Sequence, residues 1–171
     1  MPDTASNLIK RYLEDAIAAE KSFETQLKGF ANDGDDSEAK ALFSKHASET
    51  RSQYDRLTAR LEALGGSTST MKSFLAHVFG LSPKTAQLRH ERQERTTQNL
   101  IMAFSIENAE CAMYEALATT ALAAGDEITA RLATEIQGEE KRTADEVWQL
   151  ISPSARYAFA QLTELPLQRS V

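Results

Sequence analysis

LIMAFSIENAECAMYEAL, residues 100–117, decides the fold. Leu100, Ala103, Phe104, Glu107, Glu110, Tyr114 and Leu117 recur at steps of three and four, the period of one helix face. Two acids, Glu107 and Glu110, fall on that otherwise apolar stripe. A lone charge in a helix-bundle core costs several kcal/mol, so two of them on one inner face require partners from neighbouring helices. Further helices with inward acids or other partners must therefore flank this one.

Three more appear. The spacing predicts a first helix from Asp3 to Phe30, with Leu8, Ile9, Tyr12, Ala16, Phe23, Leu27 and Phe30 in register and Glu20 inside the stripe. It ends at the turn-prone run from Ala31 to Asp36, where Asp36 or Ser37 can cap the next helix. The second helix continues to Leu64 before Gly65-Gly66, with Leu42, His46, Glu49, Gln53, Leu57 and Leu64 along one side. The third spans Gln87 to Ala124 and stops at Gly125. The fourth runs from Glu127 to Ile151, aligning Leu132, Ile136, Glu139, Thr143, Val147 and Leu150. Ser152-Pro153 is expected to close it and to start a short C-terminal helix carrying Tyr157, Phe159 and Leu162.

The expected fold is thus all-α, one four-helix domain over residues 1–171, with its core bundle in 3–151 and an extension in 152–171. Length suits a single core, and only 7 Gly and 4 Pro interrupt long stretches of good helix formers. Residues Ser67 to Arg92 make a long connection between the second and third helices. Its apolar piece, Met71 to Leu81, is read as an end cap of the bundle or, with preference, as a homodimer contact.

The net charge of −6, with basic residues scattered among acids, gives no electrostatic reason to bind nucleic acid. No apolar run approaches the roughly 20 residues that span a bilayer, and no secretory pattern opens the chain. A soluble, cytoplasmic protein without a membrane partner is expected. The one cysteine, Cys111, excludes an internal disulfide and reads as helix packing.

Inward acids from all four helices suit a binuclear site for hard or borderline cations, iron or manganese. Such a site ordinarily takes one Glu from each of two helices and a Glu-x-x-His pair from each of the others. Here Ser52 stands three residues after Glu49, with His46 one turn earlier, and Arg142 stands three after Glu139. The third-helix pair Glu107 and Glu110 compensates in part. Glu140 is the alternative to Glu139, since adjacent residues point about 100° apart. His46 can ligate, donate to a ligating carboxylate, or form a hydrogen bond without metal. Tyr114 is expected to bond a carboxylate through its hydroxyl, whereas His77 and His90 belong to connector or surface. In the rival, metal-free reading of a dimeric helical scaffold, Arg51, Arg56, Arg92, Arg95 or Arg142, or water, neutralise the inner acids.

Four segments, AAEKSFE (18–24), HASETRSQ (46–53), SIENAECAMYEAL (105–117) and GEEKRTADEVW (138–148), in order and over about residues 8–150, resemble the YciE/YciF-type ferritin-like metal-binding proteins. The resemblance implies a ferritin-like bundle whose second and third helices run parallel across a long crossover. It also implies a dimer, a binuclear metal site and a stress-associated role. Carried over by position, the ligands are Glu20, His46, Glu49, Glu107, Glu110 and Glu139. The third-helix pair is also similar to that of rubrerythrin, but the Cys-x-x-Cys module of that relative has no counterpart here. If the chain is an enzyme, the implied class is a di-iron or di-manganese oxidoreductase acting on oxygen or peroxide.

Overall fold

The structure, a computed structural model, describes residues 3–33, 35–68 and 91–163. Four long helices account for almost all of them: α1 (Asp3–Asp33), α2 (Ser37–Ala63), α3 (Arg95–Ala123) and α4 (Glu127–Thr163). A short 3-10 turn, Arg92–Glu94, leads into α3. No strand occurs among the described residues.

The helix ends follow from local chemistry. Asp36 accepts from the free amides of Glu38 (2.9 Å) and Ala39 (3.1 Å), so it is the cap that starts α2. Gly65, at φ 75°, takes the left-handed conformation that ends α2, and the Gly66 amide returns to the Leu61 carbonyl at 2.9 Å. Gly125, at φ 76°, does the same for α3. Asp126 follows at once and accepts from the Thr129 amide, starting α4 within a tight αα-hairpin.

Two apolar clusters fill the bundle. One gathers Ile9, Leu13 and Ile17 of α1, Leu57 and Leu61 of α2, Leu117 of α3 and Ile136 of α4. The other gathers Phe23, Leu27 and Phe30 of α1, Phe43 of α2, Leu100 and Ile106 of α3 and Val147 of α4. The order in which each helix meets these clusters fixes its direction. The first and fourth helices run from the first cluster to the second, whereas α2 and α3 run the opposite way and are therefore parallel to each other. The end of α2 and the start of α3 consequently lie at opposite ends of the bundle, the arrangement for which the sequence expects a crossover. The crossover itself, the Met71–Leu81 piece with His77, and the expected helix start at Gln87 together with His90 lie outside the described residues, as do 164–171.

One element departs from expectation. Among the described residues no separate C-terminal helix forms, because α4 continues unbroken through Pro153 to Thr163. Pro153 is exposed, so the carbonyl that loses its amide donor, that of exposed Gln149, can turn to solvent. Beyond it, buried Ser154 bonds the Thr97 hydroxyl at 2.9 Å and Ala158 packs inward, which holds the extra turns on the bundle.

Candidate metal centre

Between the two apolar clusters lies a layer of polar side chains contributed by all four helices. Glu20 comes from α1, His46, Thr50 and Gln53 from α2, Glu107, Glu110 and Tyr114 from α3, and Glu140 and Thr143 from α4. Every one is buried, and Glu20, Glu107 and Glu140 are wholly so.

The imidazole of His46 stands among the acids, with Nδ1 3.0 Å from Glu107 Oε1 and Nε2 3.5 Å from Glu140 Oε2. One donor atom from each of His46, Glu107 and Glu140 lies within 4.8 Å of the others. Phe23 meets the imidazole edge-on, rings 5.3 Å apart and inclined at 82°, which restricts its rotation. Tyr114 donates its hydroxyl to Glu20 Oε1, as expected for a core tyrosine beside a carboxylate. The amide of Gln53 donates to Glu140 Oε1 and, at 3.1 Å, to Glu139 Oε2.

Several oxygens remain unsatisfied. Both oxygens of Glu107, both of Glu110, Glu20 Oε2 and Glu140 Oε2 accept no aligned hydrogen bond, and neither nitrogen of His46 is aligned to make one. Buried polar atoms are ordinarily paired. A concentration of orphans in one layer, most of them on the two residue types that ligate iron and manganese, with Thr50 Oγ1 and Gln53 Oε1 beside them, is what a cation site requires. Burial, reinforced by neighbouring carboxylates, holds the protons of Glu20, Glu107 and Glu110 well above the usual carboxylate range. Burial and the same acids push the Tyr114 phenol up. Once deprotonated, the four carboxylates would carry four negative charges, which two divalent ions would balance.

The layer unites Glu20, His46, Glu107 and Glu110 from the sequence reading. It excludes the other two from the inner face. Glu139 is 30% exposed and pairs with Arg56, while Glu140, its neighbour, occupies the interior. Glu49 is 43% exposed and lies 3.8 Å from Lys45. The reason is helix phase. The buried face of α2 follows Ala39, Phe43, His46, Ala47, Thr50, Gln53 and Leu57, not Leu42 and Glu49. That of α4 follows Ala133, Ile136, Glu140, Thr143 and Val147, not Leu132 and Glu139. Gln53 and Thr50 are site residues that the sequence reading did not single out; the run of small residues on their face was the available signal.

Among the described residues no helix is long and apolar enough to cross a membrane. No curated protein matches significantly. Solved structures do. A protein of Xanthomonas campestris pv. campestris is 24% identical, with 95% of this chain and 99% of that one covered at a TM-score of 0.77. The E. coli stress protein YciF is 23% identical, with 90% and 98% covered at 0.74. A two-domain protein of Anabaena variabilis, with DJ-1/ThiJ/PfpI-like and ferritin-like domains, is 17% identical, with 97% of this chain and 41% of that one covered at 0.58. These likenesses show that the bundle is ferritin-like. The profile of the family described as "Domain of unknown function (DUF892)" matches residues 4–160, and this chain belongs to that YciF-like family.

Proposed function

We propose that the protein binds a pair of divalent transition-metal ions, iron or manganese, in the buried carboxylate layer, with Glu20, His46, Glu107, Glu110 and Glu140 as ligands. The observation that supports the reading best is the set of orphaned carboxylate oxygens around His46, with no lysine or arginine in contact among the described residues. The metal-free scaffold reading needs arginines or water there, and the arginines do not supply the contacts. Each of the five is engaged elsewhere: Arg51 with Asp55, Arg56 with Glu139, Arg92 with Asp35, Arg95 with Asp33, and Arg142 with the Gly138 carbonyl.

Bound iron or manganese supplies electron transfer toward oxygen or peroxide, or is simply sequestered. The chain's own contribution is positional. The Tyr114 hydroxyl fixes one oxygen of Glu20 and leaves the other free. The Gln53 amide does the same for Glu140, and the Phe23 edge keeps both imidazole nitrogens of His46 directed at acids. The two apolar clusters above and below exclude water, so charge interactions within the layer are strong. A role in handling oxidative or general stress is supported by the fold shared with the E. coli stress protein.

Homodimerisation belongs to the same proposal. It is supported by an apolar outer face on α3 and α4, where Trp148 is 61% exposed, Ile101 is 44% exposed, and Phe104 stacks on Trp148.

Elemental analysis of untagged protein, beside Glu20→Ala and Glu107→Ala variants, tests the metal reading. Its expected result is about two iron or manganese ions per chain, lost in both variants while helicity persists. No bound metal after anaerobic ferrous loading would sink it.

A further inference from the structure

The seam between α2 and α4 is the loosest of the four between adjacent helices. A solvent-open groove of about 370 Å³ runs along it, with Lys45, Glu49, Arg56, Glu139, Arg142 and Glu146 on its walls. Thr143, which is buried in the polar layer, also lines this groove, so its floor and the layer share a residue.

A hydrogen-bonded path continues inward. The Gln53 amide bridges Glu139, on the groove, and Glu140, in the layer. Arg56 holds Glu139 from the solvent side and is itself 34% exposed. Nearer the mouth, the Lys45 ammonium lies 2.9 Å from Glu146 and 3.8 Å from Glu49. The groove acids thus face monovalent cations on long, flexible side chains, Lys45 for Glu49 and Glu146 and Arg56 for Glu139, which a divalent ion can displace.

We propose that this groove is the passage by which a divalent cation reaches the layer, with Glu139 as the relay carboxylate and Arg56 as its gate. The inference rests on the metal-binding reading above and assigns its access route. A dication leaving bulk water exchanges hydration for oxygen ligands stepwise. Glu49 and Glu146 at the mouth, then Glu139, then Glu140 offer carboxylates at decreasing exposure along one line. The Arg56 guanidinium repels the incoming cation and occupies the relay acid, so its displacement from Glu139 opens the route. The placement of Glu139 just outside the layer, joined to it through Gln53, gives this acid a task that burial among the ligands would not.

Stopped-flow mixing of chelator-stripped, full-length protein with Co²⁺ tests the passage, with visible absorption reporting uptake and titration giving the final stoichiometry. Arg56→Gln is expected to speed uptake about tenfold and Glu139→Gln to slow it about tenfold, by removing local charge of opposite sign from the approach. Both should reach the wild-type stoichiometry. Arg51→Gln, in the separate groove between α1 and α2, should load at the wild-type rate. Wild-type rates in both groove variants would overturn the passage while leaving the metal site standing. A reduced final stoichiometry in Glu139→Gln would overturn the relay role by making Glu139 a ligand. Failure of the wild type to take up Co²⁺ at all would instead defeat the metal reading on which the passage depends.

Discussion

Glu107→Gln is expected to make the metal-free protein more stable while weakening its response to metal. Glu107 is wholly buried, stands 3.0 Å from His46 Nδ1, and finds no aligned donor for either oxygen. Burial first, and the carboxyls of Glu140, Glu110 and Glu20 after it, hold its proton above the usual value of 4.5. A carboxyl that must take up a proton to fold at pH 7 costs about 1.4 kcal/mol for each pH unit above 4.5, so at most about 3.4 kcal/mol. The amide escapes that cost. For a chain of this length a kcal/mol moves Tm by about 2–4 °C, so the variant should melt up to about 7–14 °C higher at pH 7. The pH dependence has a definite sign. With the folded value raised, the folded state holds more protons than the unfolded one. This contribution to stability is complete below pH 4.5 and is lost as pH rises through the folded value. Metal-free wild type should therefore gain stability as pH falls through the raised folded value toward 4.5, and the variant should gain less. Manganese at about 100 times its dissociation constant adds about 2.7 kcal/mol per site to the wild type and much less to the variant. Calorimetric melts of chelator-stripped protein with and without Mn²⁺ measure all of this. A variant melting several degrees below metal-free wild type, with an unchanged pH slope, would refute the account.

Tyr114→Phe leaves both oxygens of buried Glu20 without a donor and should lower metal-free stability by about 1–3 kcal/mol, read as a drop in urea midpoint. Arg60 Nη2 grips both oxygens of buried Asp126 at 2.7 and 2.8 Å and ties α2 to the start of α4. Asp126→Asn should thus cost about 3–5 kcal/mol at pH 7. Burial raises the Asp126 value, but the bonds from Arg60 and Thr129 outweigh it and hold it below the usual 3.8. The carboxylate's contribution is consequently present above pH 3.8 and fades as pH falls through the lowered value, so melts of wild type and variant should converge in strong acid. Gly125→Ala forces a side chain into a left-handed backbone and should cost about 1–2 kcal/mol by thermal melt, with metal uptake unchanged.

The stripe in residues 100–117 was enough to name an inward acid pair on α3, and the stripe around Glu20 was enough for α1, because bulky residues mark both faces. Leu100, Ile106 and Leu117 on α3, and Ile9, Phe23 and Leu27 on α1, leave little freedom of phase. Helix direction was legible too: a long connection between two helices and short turns elsewhere dictate which neighbours run parallel. The continuous α4 was not, since a Ser-Pro pair ordinarily opens a new helix, whereas here the Thr97 bond to Ser154 and the packing of Ala158 help keep the chain on the bundle.

What the sequence by itself determined is an all-α bundle with acids at its centre, because the 3.6-residue period and the cost of burying charge are local facts. What only the tertiary structure decided is which acids. On α2 and α4 two faces about 100° apart both carry helical spacing, one lined with leucines and one with alanines. Leu42 and Leu132 flank the core, whereas Ala39, Ala47, Ala130 and Ala133 sit within it. Small side chains let neighbouring helices approach closely, so packing selects the alanine face. That choice turns Glu140 and Thr50 into the layer, keeps Gln53 there, and places Glu139 and Glu49 on the groove.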